Sequence, residues 1–495
     1  MRSPDRRFPI LAACLMATFM PAVESTIVAT AMPTIVADLG GFGLFSWVFT
    51  IYLLTQAVSI PLYGRLADVH GRKPVFFFGA ALFLAGSAAS GFAWNMVALI
   101  AFRAVQGLGA GAVMPSAATI LGDIYAPSER ARVQGMVSSV FGISAVIGPS
   151  LGAFLVEHGD WPVVFWVNLP IGAVAVLMIG LFLHEEVEPR RHRLDVAGSL
   201  LLLAAVGALM LAFVQGTALS TLAWWGAIGA GLAALAALLV NERLIAEPML
   251  PLELWRHPVI VAGSLGSCAA GAVMMGVAAY LPTYVQGAMG RSAGAAGLVL
   301  GAMSVSWALG SIASGRIMLR TSYRTTALIG GASLLAGCVL LLGLTPSRGP
   351  AWAATGAFVI GIGMGLCNTT FIVSVQAAVP WRQRGAATSS IMFLRFVGQA
   401  LGAAGCGAVL NATLRPADPG GRLAERLLDP AERAGLGADL DRMVDLLAAG
   451  LHNAYLLTCA FAVVALALAL IIPRRLSPAG HPPPRHSPAD AAPAR

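Results

Sequence analysis

Apolar runs about twenty residues long recur through most of this chain, and they leave few architectures open. A helix that crosses a bilayer needs roughly 20 mostly apolar residues, because each residue advances it only about 1.5 Å. About fourteen runs satisfy that condition. They cover 8–32, 42–63, 74–93, 96–119, 133–155, 162–183, 194–215, 221–240, 258–283, 295–316, 324–345, 350–376, 385–410 and 449–472. Hydrophobic residues make up 58% of the 495 positions and charged residues only 11%, more apolar surface than a soluble core can hide. The expected fold class is an all-α polytopic membrane protein with fourteen transmembrane helices.

The charges between the runs test this count. With a cytoplasmic N-terminus, every even-numbered loop faces the cytoplasm and should collect cations. Those loops carry Arg65, Arg72 and Lys73; Arg130 and Arg132; Arg190, Arg191 and Arg193; Arg243 and Arg256; Arg316, Arg320 and Arg324; and Arg382 and Arg384. The short odd-numbered loops hold chiefly Arg291 and Arg348. The alternation places both termini in the cytoplasm of a multi-pass cell-membrane protein. Arg2, Arg6 and Arg7 followed by an apolar run imitate a signal peptide, but the run is long and Glu24 interrupts it, so it reads as an uncleaved first span. The Pro- and Ala-rich segment 473–495 reads as a disordered tail.

Several function classes fall away. The formal charge of +8 is dispersed in short clusters between apolar runs, which argues against nucleic acid. The six cysteines (Cys14, Cys268, Cys338, Cys367, Cys406 and Cys459) lie far apart inside apolar runs, without metal-ligand or redox spacing. No metal and no cofactor is expected. The polar segments are too short for a nucleotide-binding domain, and no Gly-rich loop ending in Gly-Lys-Ser/Thr occurs. The chain does not read as an enzyme, and an ion gradient is the remaining source of energy.

An internal repeat divides the chain. Gly64-Arg65-Leu66 recurs as Gly315-Arg316-Ile317, and the same offset sets Arg324 against Lys73. Arg132, Gly135, Ser139, Gly148 and Gly152 recur about 250 positions later as Arg382, Gly385, Ser389, Gly398 and Gly402. Two related six-helix bundles follow, 1–183 and 258–472, with 184–257 as a linker holding an inserted two-helix hairpin. Within the second bundle, loop 411–448 mixes seven acids with five arginines. Leu423, Leu427 and Leu428, then Met443, Leu446 and Leu447, recur there at helical spacing, predicting one or two amphipathic helices on the outer surface. A solvated cap is favoured over an element that docks an envelope partner.

Polar residues inside apolar runs are costly and mark paths for ions or substrates. Glu24 lies ~24 Å along the first span. It reads either as a proton-exchanging carboxyl or as a structural acid paired to an arginine. Arg103 lies inside the fourth span with Gln106 one turn on, and a buried arginine must find acceptors. In the fifth span Gly148, Pro149 and Gly152 make a bendable packing face. Arg395 binds an anionic group, pairs with an acid or only packs; the sequence does not choose. Thr26, Gln106, Asn368 and Arg395 are candidates for a substrate cavity, with Gln376, Gln399, Trp307 and Tyr280 as weaker ones. The charged link Gly64–Lys73 reads as a tight turn between the second and third spans, with Gly64 and Gly71 supplying backbone freedom. Asp68 is not explained by the cation rule and calls for a partner on a neighbouring helix.

That link resembles the loop motif of the major facilitator superfamily, Gly-x-Leu-Ala-Asp-x-x-Gly-Arg-Lys, with Gly64, Leu66, Ala67, Asp68, Gly71, Arg72 and Lys73 in register. The resemblance implies two bundles latched by this loop on the cytoplasmic face. Arg103-Ala104-Val105-Gln106-Gly107 is similar to the superfamily's helix-4 motif, whose arginine is implicated in proton transfer. Gly148-Pro149 with Gly152 resembles the helix-5 motif of its exporters, with Ser144 and Ala153 in place of two glycines. Glu24-Ser25-Thr26-Ile27-Val28 through Pro33 resembles the helix-1 signature of the fourteen-helix drug:proton antiporters, with glutamate where aspartate is usual. Leu194-Asp195-Val196-Ala197-Gly198 and Arg384-Gly385 with Ser389 and Arg395 resemble the same family. The implied function is proton-coupled efflux of hydrophobic or cationic small molecules. Its implied partners are the small-molecule substrate, protons and the lipid bilayer. A dedicated exporter of one natural product or siderophore, a metabolite importer, and a non-transporting membrane sensor are the alternatives.

Overall fold

A computed structural model describes residues 7–125, 127–184, 195–214, 220–245, 254–379, 384–418 and 422–474. The loop arginines Arg190, Arg191, Arg193 and Arg382, and the tail from 475, lie outside these residues.

In chain order the helices are α1 (Arg7–Leu39), α2 (Phe45–His70), α3 (Arg72–Gly91), α4 (Met96–Ile124) and α5 (Pro127–His158). There follow α6 (Val163–Trp166), α7 (Asn168–Phe182), α8 (Val196–Val214) and α9 (Thr221–Leu244). The second part holds α10 (Pro258–Thr283), α11 (Ala293–Arg320), α12 (Tyr323–Leu342), α13 (Gly349–Ala377) and α14 (Arg384–Leu414). Last come α15 (Leu423–Leu428), α16 (Pro430–Ala434) and α17 (Leu440–Ala469). Among the described residues no strand occurs. Serine and asparagine side chains close several exposed amides at helix starts: Asn95 on α4, Ser220 on α9, Ser292 on α11 and Ser322 on α12.

Among the described residues, twelve helices are long and apolar enough to cross a membrane. The expected fourteen are met in part. Neither α5 nor α8 is among the twelve; α8 contributes a shorter apolar stretch, Leu200–Ala212. The boundaries also move. α1 continues through Pro33 to Leu39, and the sixth run is split into α6 and α7 around Val167. The last helix starts at Leu440, so Met443, Leu446 and Leu447 are its opening turns rather than part of a separate loop helix.

The predicted charged turn is mostly helix. α2 runs through Gly64 to His70, and the reversal is confined to Gly71, whose φ of 92° is open to glycine and costly to other residues.

The helices pack in two groups. α1 packs on α4, α5 and α7, while α4 packs on α2 and α3. α10 packs on α13, α14 and α17, while α13 packs on α11 and α12. The bundles meet along α2 with α14 and α5 with α11. α8 and α9 pack on each other, and α8 leans on both α2 and α14. Asp195 ties the start of α8 to α9: it accepts from the Gly198 amide at 2.7 Å and from Asn241 Nδ2 at 2.9 Å. Arg7 and Tyr125 meet at one end of the first bundle, hereafter the terminal side. The opposite end is the far side.

Candidate functional site: a buried ion pair between two bundles

α1 carries Glu24 and α4 carries Arg103 to the same point inside the first bundle, 0% and 1% exposed. Arg103 Nη1 donates to Glu24 Oε1 at 2.5 Å and to Gln106 Oε1 at 2.7 Å, and its Nε reaches Val48 O at 3.3 Å. The guanidinium lies 4.1 Å from the centroid of the Tyr52 ring. The second carboxylate oxygen accepts from Asn168 Nδ2 at 2.5 Å. Ser87 links the rest, accepting from Gln106 Nε2 and Asn168 Nδ2, each at 3.1 Å, and donating to Phe165 O at 2.7 Å. Two opposite charges with nearly every donor and acceptor engaged is the arrangement that makes burial of ions tolerable. The Tyr52 hydroxyl and Asn168 Oδ1 have no hydrogen-bond partner, so the cluster keeps donor and acceptor capacity in reserve.

Glu24 is therefore not a solitary acid among apolar side chains. Its partner is Arg103. Gln106 joins this cluster. Asn168, Ser87 and Tyr52 were missed. Asn168 carried a signal, since it is the one amide or charged residue between 163 and 183. Ser87 sits in a Gly- and Ala-rich run and carried none.

Thr26 lies at a helix seam. Its hydroxyl donates to Val23 O at 2.9 Å, and a Cβ built on Gly148 would strike its oxygen. One turn on, a Cβ on Gly152 would stand 2.7 Å from Ile27 O. The glycines of the fifth span thus let α5 approach α1 closely. Pro149 stands at the crossing with the other bundle, where its carbonyl would lie 2.7 Å from a Cβ on Gly297 of α11.

The loop motif separates into parts. Lys73 Nζ donates to Leu183 O at 2.7 Å and Gly180 O at 2.9 Å, closing the end of α7 in its own bundle. Arg72 stands beside it, partly buried at the start of α3. Gly64 and Asp68 are described in backbone only, so the contact sought for Asp68 lies outside the described side chains.

The bundles are clasped on the far side. Glu157 at the end of α5 accepts from the Gly294 amide at 2.6 Å, at the start of α11. Glu425 of α15 accepts from the Phe42 amide at 3.1 Å, ahead of α2. Asn411 Nδ2 reaches Gly43 O at 3.0 Å, and the Tyr280 ring lies tilted against Phe45 with ring centroids 5.1 Å apart. The amphipathic segment expected in loop 411–448 is present as α15, with Leu423, Leu427 and Leu428 buried. Arg433 fastens it, donating to Gly287 O, and desolvation lowers this guanidinium from its usual range. The cap is thus a bridge between bundles, not a detached solvated lobe.

In the second bundle Arg395 Nη1 donates to Asn368 Oδ1 at 3.2 Å. Gln376 Nε2 donates to Thr388 Oγ1 at 3.0 Å, Gln399 approaches Met274 at 4.0 Å, and the Tyr280 hydroxyl donates to Ala403 O at 2.9 Å. Trp307 is partly buried on α11.

The profile of the Major Facilitator Superfamily matches residues 14–403. The chain belongs to the Major Facilitator Superfamily. It is a membrane transporter, not an enzyme. It is 32% identical to the Multidrug transporter protein MdtP of Bacillus subtilis over 451 residues, covering 89% of this chain and 82% of that protein. It is 35% identical to Multidrug resistance protein 3 of the same organism over 393 residues, covering 78% and 76%. Among solved structures, a bacterial homolog of the human lysosomal transporter Spinster, in an inward-facing and occupied conformation, superposes with a TM-score of 0.68. That match has 17% identity and covers 95% of this chain and 97% of that one, which speaks to the superfamily fold alone.

Proposed function

We propose that this transporter is a proton-coupled antiporter that exports hydrophobic or cationic small molecules by alternating access. The observation that carries the reading is the buried Glu24–Arg103 ion pair. Protonating Glu24 removes the charge that Arg103 faces and breaks a link between α1 and α4. The energy of one state over the other then depends on proton binding, as coupling requires. A carboxylate that never leaves Arg103 could not do this. The names of the two Bacillus relatives, a multidrug transporter and a multidrug resistance protein, support efflux of more than one drug. The clasped far side supports a state that loads from the terminal side. The positive-inside pattern supports a cytoplasmic location for that side. In this reading α5 and α8 complete fourteen spans, with α8 and α9 as the inserted hairpin.

The test is ethidium accumulation by everted vesicles under an imposed proton gradient. Wild-type vesicles should accumulate ethidium, and an uncoupler should abolish the effect. Glu24→Gln should lose accumulation against a gradient while still binding ethidium. Wild-type pumping in Glu24→Gln would refute proton coupling through this carboxyl. Failure of wild-type vesicles to move any lipophilic cation would refute the exporter reading itself.

A further inference from the structure

Arg395 is a charge that the coupling reading leaves unused. It sits on α14 about 16 Å from the helix start, where α13 converges on α14 beside α10. Arginine is charged at every working pH and carries five N–H donors in a planar fork. In the first bundle Arg103 is met by a carboxylate, an amide oxygen and a backbone carbonyl. Arg395 has only the amide oxygen, with no carboxylate. Its Nη1 donates to Asn368, its guanidinium carbon lies 5.3 Å from the Phe396 ring centroid, and its Nε is buried with no hydrogen-bond partner. No described acid pairs with it.

Three further features give this position the character of a site. Arg395 and Asn368 are each only partly buried as residues, although the guanidinium Nε is enclosed deep in an apolar bundle. The base of Arg395 is also rigid, because a Cβ on Gly271 of α10 would stand 2.5 Å from the Arg395 carbonyl, leaving α14 no room to shift toward α10. On the flanking helices the hydroxyls of Ser264, Ser267 and Thr370 are buried with no hydrogen-bond partner. Asn368 holds one prong of the fork, and the other donors suit two oxygens of one planar or tetrahedral anion.

We propose that Arg395, oriented by Asn368, is a subsite for an anionic group on the transported molecule: a carboxylate, sulfonate or phosphate on an otherwise apolar body. This rests on the exporter reading and widens its cargo from neutral and cationic compounds to amphiphilic anions and zwitterions. Placing the anion here completes the pairing that Glu24 supplies to Arg103 in the other bundle. The carboxylate should be recognised by charge and geometry together, so lysine is a partial substitute and methionine none.

The experiment is equilibrium binding to the purified full-length protein, read by fluorescence, of 9-anthracenecarboxylate and its neutral carboxamide. Wild type should bind the carboxylate at least about tenfold more tightly than the amide. The ratio should fall to about one in Arg395→Met and to an intermediate value in Arg395→Lys. Asn368→Ala leaves the charge in place and should lower the ratio a few-fold, which keeps the subsite testable if Arg395→Met does not fold. A wild-type protein that fails to prefer the carboxylate overturns the proposal. So does a preference that survives Arg395→Met. Binding does not depend on proton coupling, so failure of ethidium pumping refutes the exporter reading and leaves this result separate.

Discussion

In the first bundle the cation that opens α3, Lys73, caps the end of α7; in the second, the cation that opens α12, Arg324, donates to Ile472 O at 2.8 Å, just past α17. The glycine seams repeat in the same way. Gly148 and Gly152 press α5 onto α1, and Gly398 and Gly402 press α14 onto α10. The interior charges do not repeat. One bundle holds a matched acid and base, the other an arginine whose partner is a neutral amide. Scaffold contacts are thus shared by both copies, while the polar interior differs between them. In a transporter that rocks one bundle against the other, that difference is where coupling and cargo recognition can be divided.

The largest effect should come from breaking the matched pair. Arg103→Leu strands the Glu24 carboxylate in an apolar interior, and removing one partner of a buried pair costs about 3–5 kcal/mol. Arg395→Leu strands no opposite charge and should cost less than about 2 kcal/mol. Thermal unfolding of the purified variants in one detergent measures both. The double variant Glu24→Leu with Arg103→Leu should recover most of the loss, since two apolar side chains can replace a buried pair. Equal costs for the two arginines would erase the contrast between the bundles.

A smaller effect distinguishes the seams. A Cβ on Gly398 would run into the backbone of Cys268, with its carbonyl carbon at 2.6 Å, whereas the Cβ on Gly148 meets the Thr26 hydroxyl. Backbone cannot give way as a side chain can. Gly398→Ala should therefore destabilise by about 1–3 kcal/mol, as overpacking does. Gly148→Ala should fall at the low end of that range, because alanine gains about 1 kcal/mol in helix propensity. Thr26→Ala in the same chain should bring it close to neutral. Unfolding midpoints of the three variants decide it. A Gly148→Ala variant as damaged as Gly398→Ala would mean that the α1–α5 seam is as rigid as its counterpart.

What the sequence made legible follows physical period and cost. Long apolar runs located nearly every helix, because the bilayer sets their length. The repeat of Gly148 and Gly152 at Gly398 and Gly402 was visible because close packing admits only small residues. Glu24 and Arg103 stood out because charge in an apolar run is costly, yet nothing in the spacing of two distant spans said that they touch. Ser87 and Tyr52 were invisible as members of the cluster, since a serine in a small-residue run and a tyrosine in an apolar one are both ordinary. The turn at Gly64–Lys73 was misjudged because polar residues at a membrane surface look alike whether helical or not. Only the positive φ of Gly71 marks where the helix stops. The role of Glu425 depended on a contact across hundreds of positions that local pattern cannot encode.

The smallest predicted effect concerns the repeated cap. The family motif implies that Lys73 helps hold the bundles together, whereas the structure ties it to Leu183 and Gly180 of its own bundle. These accounts separate in hydrogen exchange. A cation at a helix C-terminus contributes about 0.3–1 kcal/mol, confined to the last turn. Lys73→Met should therefore speed exchange at the amides near 180–183, and Arg324→Met should do the same near 469–472, with little change elsewhere. If Lys73 were the latch, its loss would instead alter exchange on the terminal faces of both bundles, and Arg324→Met would have no matching effect. Parallel, local fraying at the two sites is the outcome expected of a cap inherited in duplicate.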